Sequence, residues 1–135
     1  MSKNIIIVED SFMMRIIIRD IVSTDPELSV VAEAKNGNEA LELIKEHQPD
    51  VVLLDIEMPE MDGLECFKRF RLISKAKVIV ISSVTQVGSP QAHEAKRLGA
   101  YAVISKPSGA MSLDLAEKSG HEITQTVRNA VGLNG

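Results

Sequence analysis

Short apolar runs alternate with amphipathic stretches along the whole chain. Ile5–Val8, Leu28–Ala34, Asp50–Leu54, Lys77–Ile81 and Tyr101–Ile104 are brief and rich in Val, Ile or Leu, and predict strands. Between and after them, apolar residues recur at helical spacing: Met14, Ile17, Ile18 and Ile21; Ala40, Leu41 and Ile44; Leu64, Phe67 and Phe70; Ala92, Ala95 and Leu98; Ile123, Val127, Ala130 and Val131. Each set predicts a helix with one buried face. Stop and start residues bracket these helices. Ser11 caps the first and Thr24-Asp25-Pro26 ends it, Asn36-Gly37-Asn38 opens the second and Pro49 closes it, and Ser89-Pro90 and Gly99 bound the fourth. The stretch Ile56–Asp62, with Pro59 and then Asp62-Gly63, reads as a loop. Small and polar residues from Ser108 to Ser112 predict a mobile connection before the last helix, whose start Gly120 blurs. The alternation predicts one α/β domain over residues 1–135, a parallel sheet with helices on both faces.

Composition narrows the function classes. The 135 residues are 44% hydrophobic and 25% charged, ordinary for a soluble core. A net charge of -4 with scattered Lys and Arg leaves no basic stripe for nucleic acid. Cys66 is the single cysteine, which rules out an internal disulfide and a thiolate metal cage, and a reducing cytoplasm fits that. No apolar run reaches membrane-spanning length, so neither a membrane insertion nor a signal segment is expected.

The ends of the strands carry the chemistry. Asp55 follows Val51-Val52-Leu53-Leu54, where a carboxylate is costly to desolvate unless it meets water, a cation or a reaction partner. Glu9-Asp10 follows the first strand, Ser82-Ser83 the fourth and Lys106-Pro107 the fifth. Parallel neighbours would bring these groups to one sheet edge, where open α/β sheets place ligands. Each residue alone has an ordinary explanation. Asp55 could be a surface acid beyond a buried strand, Glu9-Asp10 turn acids favouring a helix N-terminus, Ser82 a turn or cap residue, and Lys106 a solvated lysine. His47, His93 and His121 lie in helical stretches and none follows a strand, which leaves Ser82 without a base for Ser-His-Asp chemistry.

Taken in order, Glu9-Asp10, Asp55 with Met58-Pro59 and Asp62-Gly63, Ser82, and Lys106-Pro107 resemble the receiver domain of bacterial two-component response regulators, over nearly the whole chain. The resemblance implies a flavodoxin-like fold of five parallel strands in the order 2-1-3-4-5 with five helices. It implies that Asp55 accepts a phosphoryl group from a sensor histidine kinase. Mg²⁺, or Mn²⁺ in its place, would be held by Glu9, Asp10, Asp55 and the backbone carbonyl of Glu57. Ser82 would turn to the aspartyl phosphate, Lys106 would pair with Asp55 at rest and with a phosphate oxygen afterward, and the Lys106-Pro107 bond would be cis. Ser83, one residue on, should point to the opposite face if the strand continues. The activity implied is self-catalysed phosphorylation and dephosphorylation, not metabolism of a small molecule.

Within the family, Ile56-Glu57-Met58-Pro59, Ser82-Ser83 and Lys106-Pro107-Ser108-Gly109 look most like the receiver of the chemotaxis protein-glutamate methylesterase. The chain is then either a free-standing chemotaxis receiver or an excised regulatory domain of that enzyme. A chemotaxis kinase would be the donor, and the face of helix four, strand five and helix five the surface for a downstream target. One departure stands out: many receivers carry an aromatic residue three positions before the lysine, and here it is Val103, with Tyr101 two residues further away. A rival of another class is an Mg²⁺-dependent aspartate-nucleophile phosphatase of haloacid-dehalogenase type. It calls for Asp-x-Asp on strand one, where this chain has adjacent acids. A flavin module on the same fold would need a hydroxyl- and glycine-rich phosphate loop after strand one, and Glu9-Asp10-Ser11 has the wrong charge.

Overall fold

A computed structural model of the chain describes residues 2–58, 62–83, 88–106 and 113–133, without the side chains of 113–119. In chain order the elements are β1 (Lys3–Val8), α1 (Phe12–Ser23), β2 (Leu28–Ala34), α2 (Gly37–His47), β3 (Val51–Asp55), α3 (Gly63–Phe70), β4 (Lys77–Ser82), α4 (Pro90–Arg97), β5 (Ala102–Ser105) and α5 (Leu113–Ala130). All strand pairs are parallel and the sheet order is β2-β1-β3-β4-β5. The expected order therefore holds.

The period-two geometry of a strand sorts the apolar runs onto two faces. Ile6, Val8, Val52, Leu54, Val78 and Val80 pack with Ala40, Ile44, Cys66, Phe67, Phe70, Ala92 and Ala95, so α2, α3 and α4 cover one face. Ile5, Ile7, Val51, Leu53, Ile79 and Ile81 pack with Ile18, Val22, Ile123 and Val127, so α1 and α5 cover the other. Both faces are buried, which is why these strands are continuous apolar runs and not alternating ones.

Four helix starts are fixed by side-chain caps. The oxygens of Ser11, Asn36, Asp62 and Ser89 accept from the backbone N–H of Met14, Glu39, Glu65 and Ala92, each worth about 1 kcal/mol. Boundaries differ from the sequence reading at four strands, and β1 already begins at Lys3, two residues before the apolar run Ile5–Val8. Asp50 precedes β3 because its carboxylate accepts from Asn4 N–H at 2.7 Å and its carbonyl from Lys77 N–H at 3.0 Å, which ties down the sheet's edge outside the ladder. Asp55 is the last residue of β3 and Ser82 the last of β4. Tyr101 falls just before β5 and is exposed, while Val103 packs against the α2–α4 side. The predicted mobile stretch Ser108–Ser112 lies outside the described residues.

The turn between α1 and β2 is tied to the last turn of α5. Arg128 Nη1 donates to Asp25 Oδ2 at 2.7 Å and Nη2 to Glu27 Oε1 at 3.2 Å. The Arg128 hydrogen bond and then the Glu27 N–H hold the Asp25 carboxyl below its ordinary 3.8. A depressed carboxyl contributes stability above its unfolded pKa and loses it as pH falls through the folded value. Arg128→Ala should therefore lower the melting temperature at neutral pH by an amount that shrinks as the pH drops below 3.8. A thermal-melt series from pH 7 to about 2 reads this; a deficit unchanged by acid would assign Arg128's contribution to packing instead.

Candidate functional site

Register places the site. Val8 pairs with Leu54, so Glu9 and Asp55 leave adjacent strands side by side; Asp55 pairs with Ile81, and Ser82 with Ser105, so Ser82 and Lys106 follow on the same edge. This edge lies outside the carboxyl ends of the strands, at the switch between β1 and β3 where the chain winds in opposite directions.

Glu9 and Asp55 are both only 1% exposed. Glu9 Oε2 accepts from Ser11 N–H at 3.0 Å, and Asp55 Oδ1 accepts from Glu57 N–H at 2.9 Å. The other oxygens, Glu9 Oε1 and Asp55 Oδ2, lie 2.9 and 3.3 Å from the Lys106 ammonium. Charge and distance join them to Lys106, but neither oxygen has a hydrogen bond of good geometry. Burial first, and then the Glu9 charge, push the Asp55 carboxyl up to about 8, against the pull of Glu57 N–H and Lys106. Lys106 is raised: its two acidic partners outweigh the burial that works against its charge.

Asp10 is exposed, and it completes a cluster in which Glu9, Asp10 and Asp55 each offer an oxygen within 4.8 Å of the others. Among the described residues, the Lys106 ammonium reaches two of these three carboxylates, and the two buried oxygens turned to it lack a directed donor. That donor set fits a hard divalent cation, which takes oxygen ligands.

Two parts of the arrangement carried no sequence signal. Arg15 Nη1 donates to the Glu9 carbonyl at 2.8 Å, while its Nε lies 3.7 Å from Glu33, so α1 grips the turn that presents both acids. The Glu57 side chain turns to β4: its Oε1 accepts from Ser82 Oγ, Ser83 N–H and Ser83 Oγ, all at 3.1 Å. Burial opposes the charge, yet these serine donors hold the Glu57 carboxyl below its ordinary value. Ser82 Oγ thus bonds Glu57 in this state and not Asp55. Ser83 departs from the opposite-face expectation because β4 ends at Ser82, which frees the next residue to turn to the same acceptor. The bond between Lys106 and Pro107, expected to be cis, lies outside the described residues, as do Pro59, Glu60 and Met61. His47, His93 and His121 are exposed on α2, α4 and α5.

A family model described as the response regulator receiver domain matches residues 5–118. The chain belongs to this family. Among curated proteins, it is 48% identical to protein-glutamate methylesterase/protein-glutamine glutaminase 1 of Syntrophomonas wolfei subsp. wolfei, over 84% of this chain and 32% of that protein. It is 46% identical to the corresponding protein 2 of Carboxydothermus hydrogenoformans, over 95% of this chain and 36% of that one. The receiver spans about a third of the length of these relatives. Among solved structures, the response regulator domain of Thermotoga maritima CheB superposes with a TM-score of 0.86 at 36% identity, covering 100% of both chains. A chain from the complex of the P1 domain of CheA3 with CheY6 of R. sphaeroides gives 0.79 at 42% identity, covering 96% of this chain and 97% of that one. No helix among the described residues is long and apolar enough to cross a membrane.

Proposed function

We propose that this receiver is a phosphorylation-controlled switch of a chemotaxis two-component pathway in the cytoplasm, with Asp55 as phosphoryl acceptor. The observation that carries the reading is the convergence of Glu9, Asp10, Asp55 and Lys106 on one strand-end pocket, with buried acid oxygens turned to a single ammonium. Glu9, Asp10, Asp55 and the Glu57 carbonyl would hold Mg²⁺, or Mn²⁺. When bound, the cation supplies charge neutralisation for the transferring phosphoryl group.

The chain's own residues do the rest. An Asp55 carboxylate oxygen forms the O–P bond as the P–N bond to a kinase phosphohistidine breaks, with the electron pair leaving on the imidazole nitrogen. Lys106, held between Glu9 and Asp55 at rest, needs little movement to pair with a phosphoryl oxygen. Ser82 then donates its hydroxyl to the phosphoryl group. The output is a population shift at the α4–β5–α5 face, where a downstream protein binds.

Incubation with the phosphorylated histidine domain of a chemotaxis kinase and Mg²⁺ should move label to the wild-type chain and leave Asp55→Asn unlabelled. Equal labelling of both would remove Asp55 from the acceptor role. The relatives favour a second reading, in which the receiver governs a protein-glutamate methylesterase on a longer polypeptide. Phosphorylation-dependent contact with such an esterase domain would support it.

A further inference from the structure

We propose that the Glu57 side chain is a positioning residue that latches Ser82 away from Asp55 and so sets how readily the switch is thrown. The inference rests on the receiver reading and concerns a group to which that reading gives only a backbone role. Glu57 Oε1 gathers three donors, Ser82 Oγ, Ser83 N–H and Ser83 Oγ, each at 3.1 Å, from the end of β4. A hydroxyl has one proton to give. While Ser82 gives it to Glu57, the same proton is withheld from a phosphoryl group on Asp55.

Geometry makes the two arrangements exclusive. Glu57 N–H donates to Asp55 Oδ1 at 2.9 Å, so the residue that contacts the acceptor through its backbone holds Ser82 through its side chain. The acceptor is charged, which makes these bonds stronger than neutral ones. Two of the three come from Ser83, so Glu57 stays on the end of β4 even when Ser82 lets go. Phosphorylation must therefore win Ser82 from Glu57 before Ser82 can swing inward.

The test is a double-mutant cycle read by NMR titration with beryllium fluoride in Mg²⁺, with Asp55→Asn as the non-binding control. Glu57→Ala should bind the mimic roughly tenfold more tightly than wild type, and Glu57→Gln, which keeps the acceptor without its charge, should fall between them. In a Ser82→Ala background the gain from Glu57→Ala should largely vanish, because no latch is left to release. A gain of equal size in that background would reduce Glu57 to a nearby negative charge and overturn the proposal.

A second readout needs no phosphoryl mimic. In the metal-free protein, the Ser83 amide proton should move upfield and exchange faster in Glu57→Ala; an unmoved Ser83 amide overturns the latch. If that amide responds but wild type fails to bind the mimic, the receiver reading fails and takes the competition with it, while the Glu57–Ser83 contact stands.

Discussion

In EDTA at pH 8 and above, the Asp55→Asn protein should melt at a higher temperature than wild type. The expectation follows from the cost of holding that carboxylate. Folding removes Asp55 from water and sets it beside Glu9, which pushes its pKa from 3.8 up to about 8. A carboxyl raised by folding is comfortable when protonated. Its favourable share of stability is present below the unfolded value and is lost as pH rises through the folded one. Metal-free wild type should therefore lose stability between about pH 4 and 8.

Asparagine is free of that loss. Its oxygen can still accept from Glu57 N–H, and its amide can donate to Glu9 Oε1, which lacks a hydrogen bond. Lys106 already offsets part of the penalty, so the gain should be roughly 1–3 kcal/mol, on the order of 5 °C or more. Saturating Mg²⁺ should narrow the difference by stabilising wild type alone. Equal or lower melting of Asp55→Asn in EDTA would show that the carboxylate is not under strain.

Gly63→Ala should be severely destabilising, costing roughly 3 kcal/mol or more. A Cβ there would overlap the backbone carbonyl oxygen of Asp55 and the Cα of Ile56. Both obstacles are main chain at the end of β3, so no rotamer change can clear them. Either α3 moves outward or the segment carrying Asp55 and Glu57 shifts. Metal-dependent binding of a phosphoryl mimic should consequently weaken even in the fraction that stays folded. Gly88 is the control: an added Cβ meets nothing within 4 Å among the described residues, so Gly88→Ala should be near neutral. Chemical denaturation of the two variants reads the contrast. Matching stabilities would mean that the strand end and the helix start are loosely joined.

Local physics was legible in the sequence. Leu28–Ala34 is the second strand to the residue, and Ser11, Asn36 and Ser89 cap helices as their side-chain chemistry suggests, while Asp62, read only as the end of a loop, caps α3. The parallel order and the meeting of Glu9, Asp55 and Lys106 came from the resemblance combined with the placement of acids and lysine after apolar runs. What escaped were contacts between residues distant in the chain. Glu57 carries no mark showing that its carboxylate will reach Ser82 and Ser83, 25 and 26 positions on. Asp25 and Arg128 meet across 103 positions. Gly63 read as a turn glycine, but its importance is steric: the helix start presses against the strand end. Asp50 looked like the first residue of a strand because nothing local shows that its carboxylate ties down Asn4.

The proposed role of Asp55 as acceptor in a cation-assisted site has a direct assay. Intact-mass measurement after incubation with acetyl phosphate tests it most directly, with Mg²⁺ or EDTA, on wild type and on Asp55→Asn. A gain of one phosphoryl group is expected only for wild type with Mg²⁺. A gain in EDTA, or in Asp55→Asn, would contradict it.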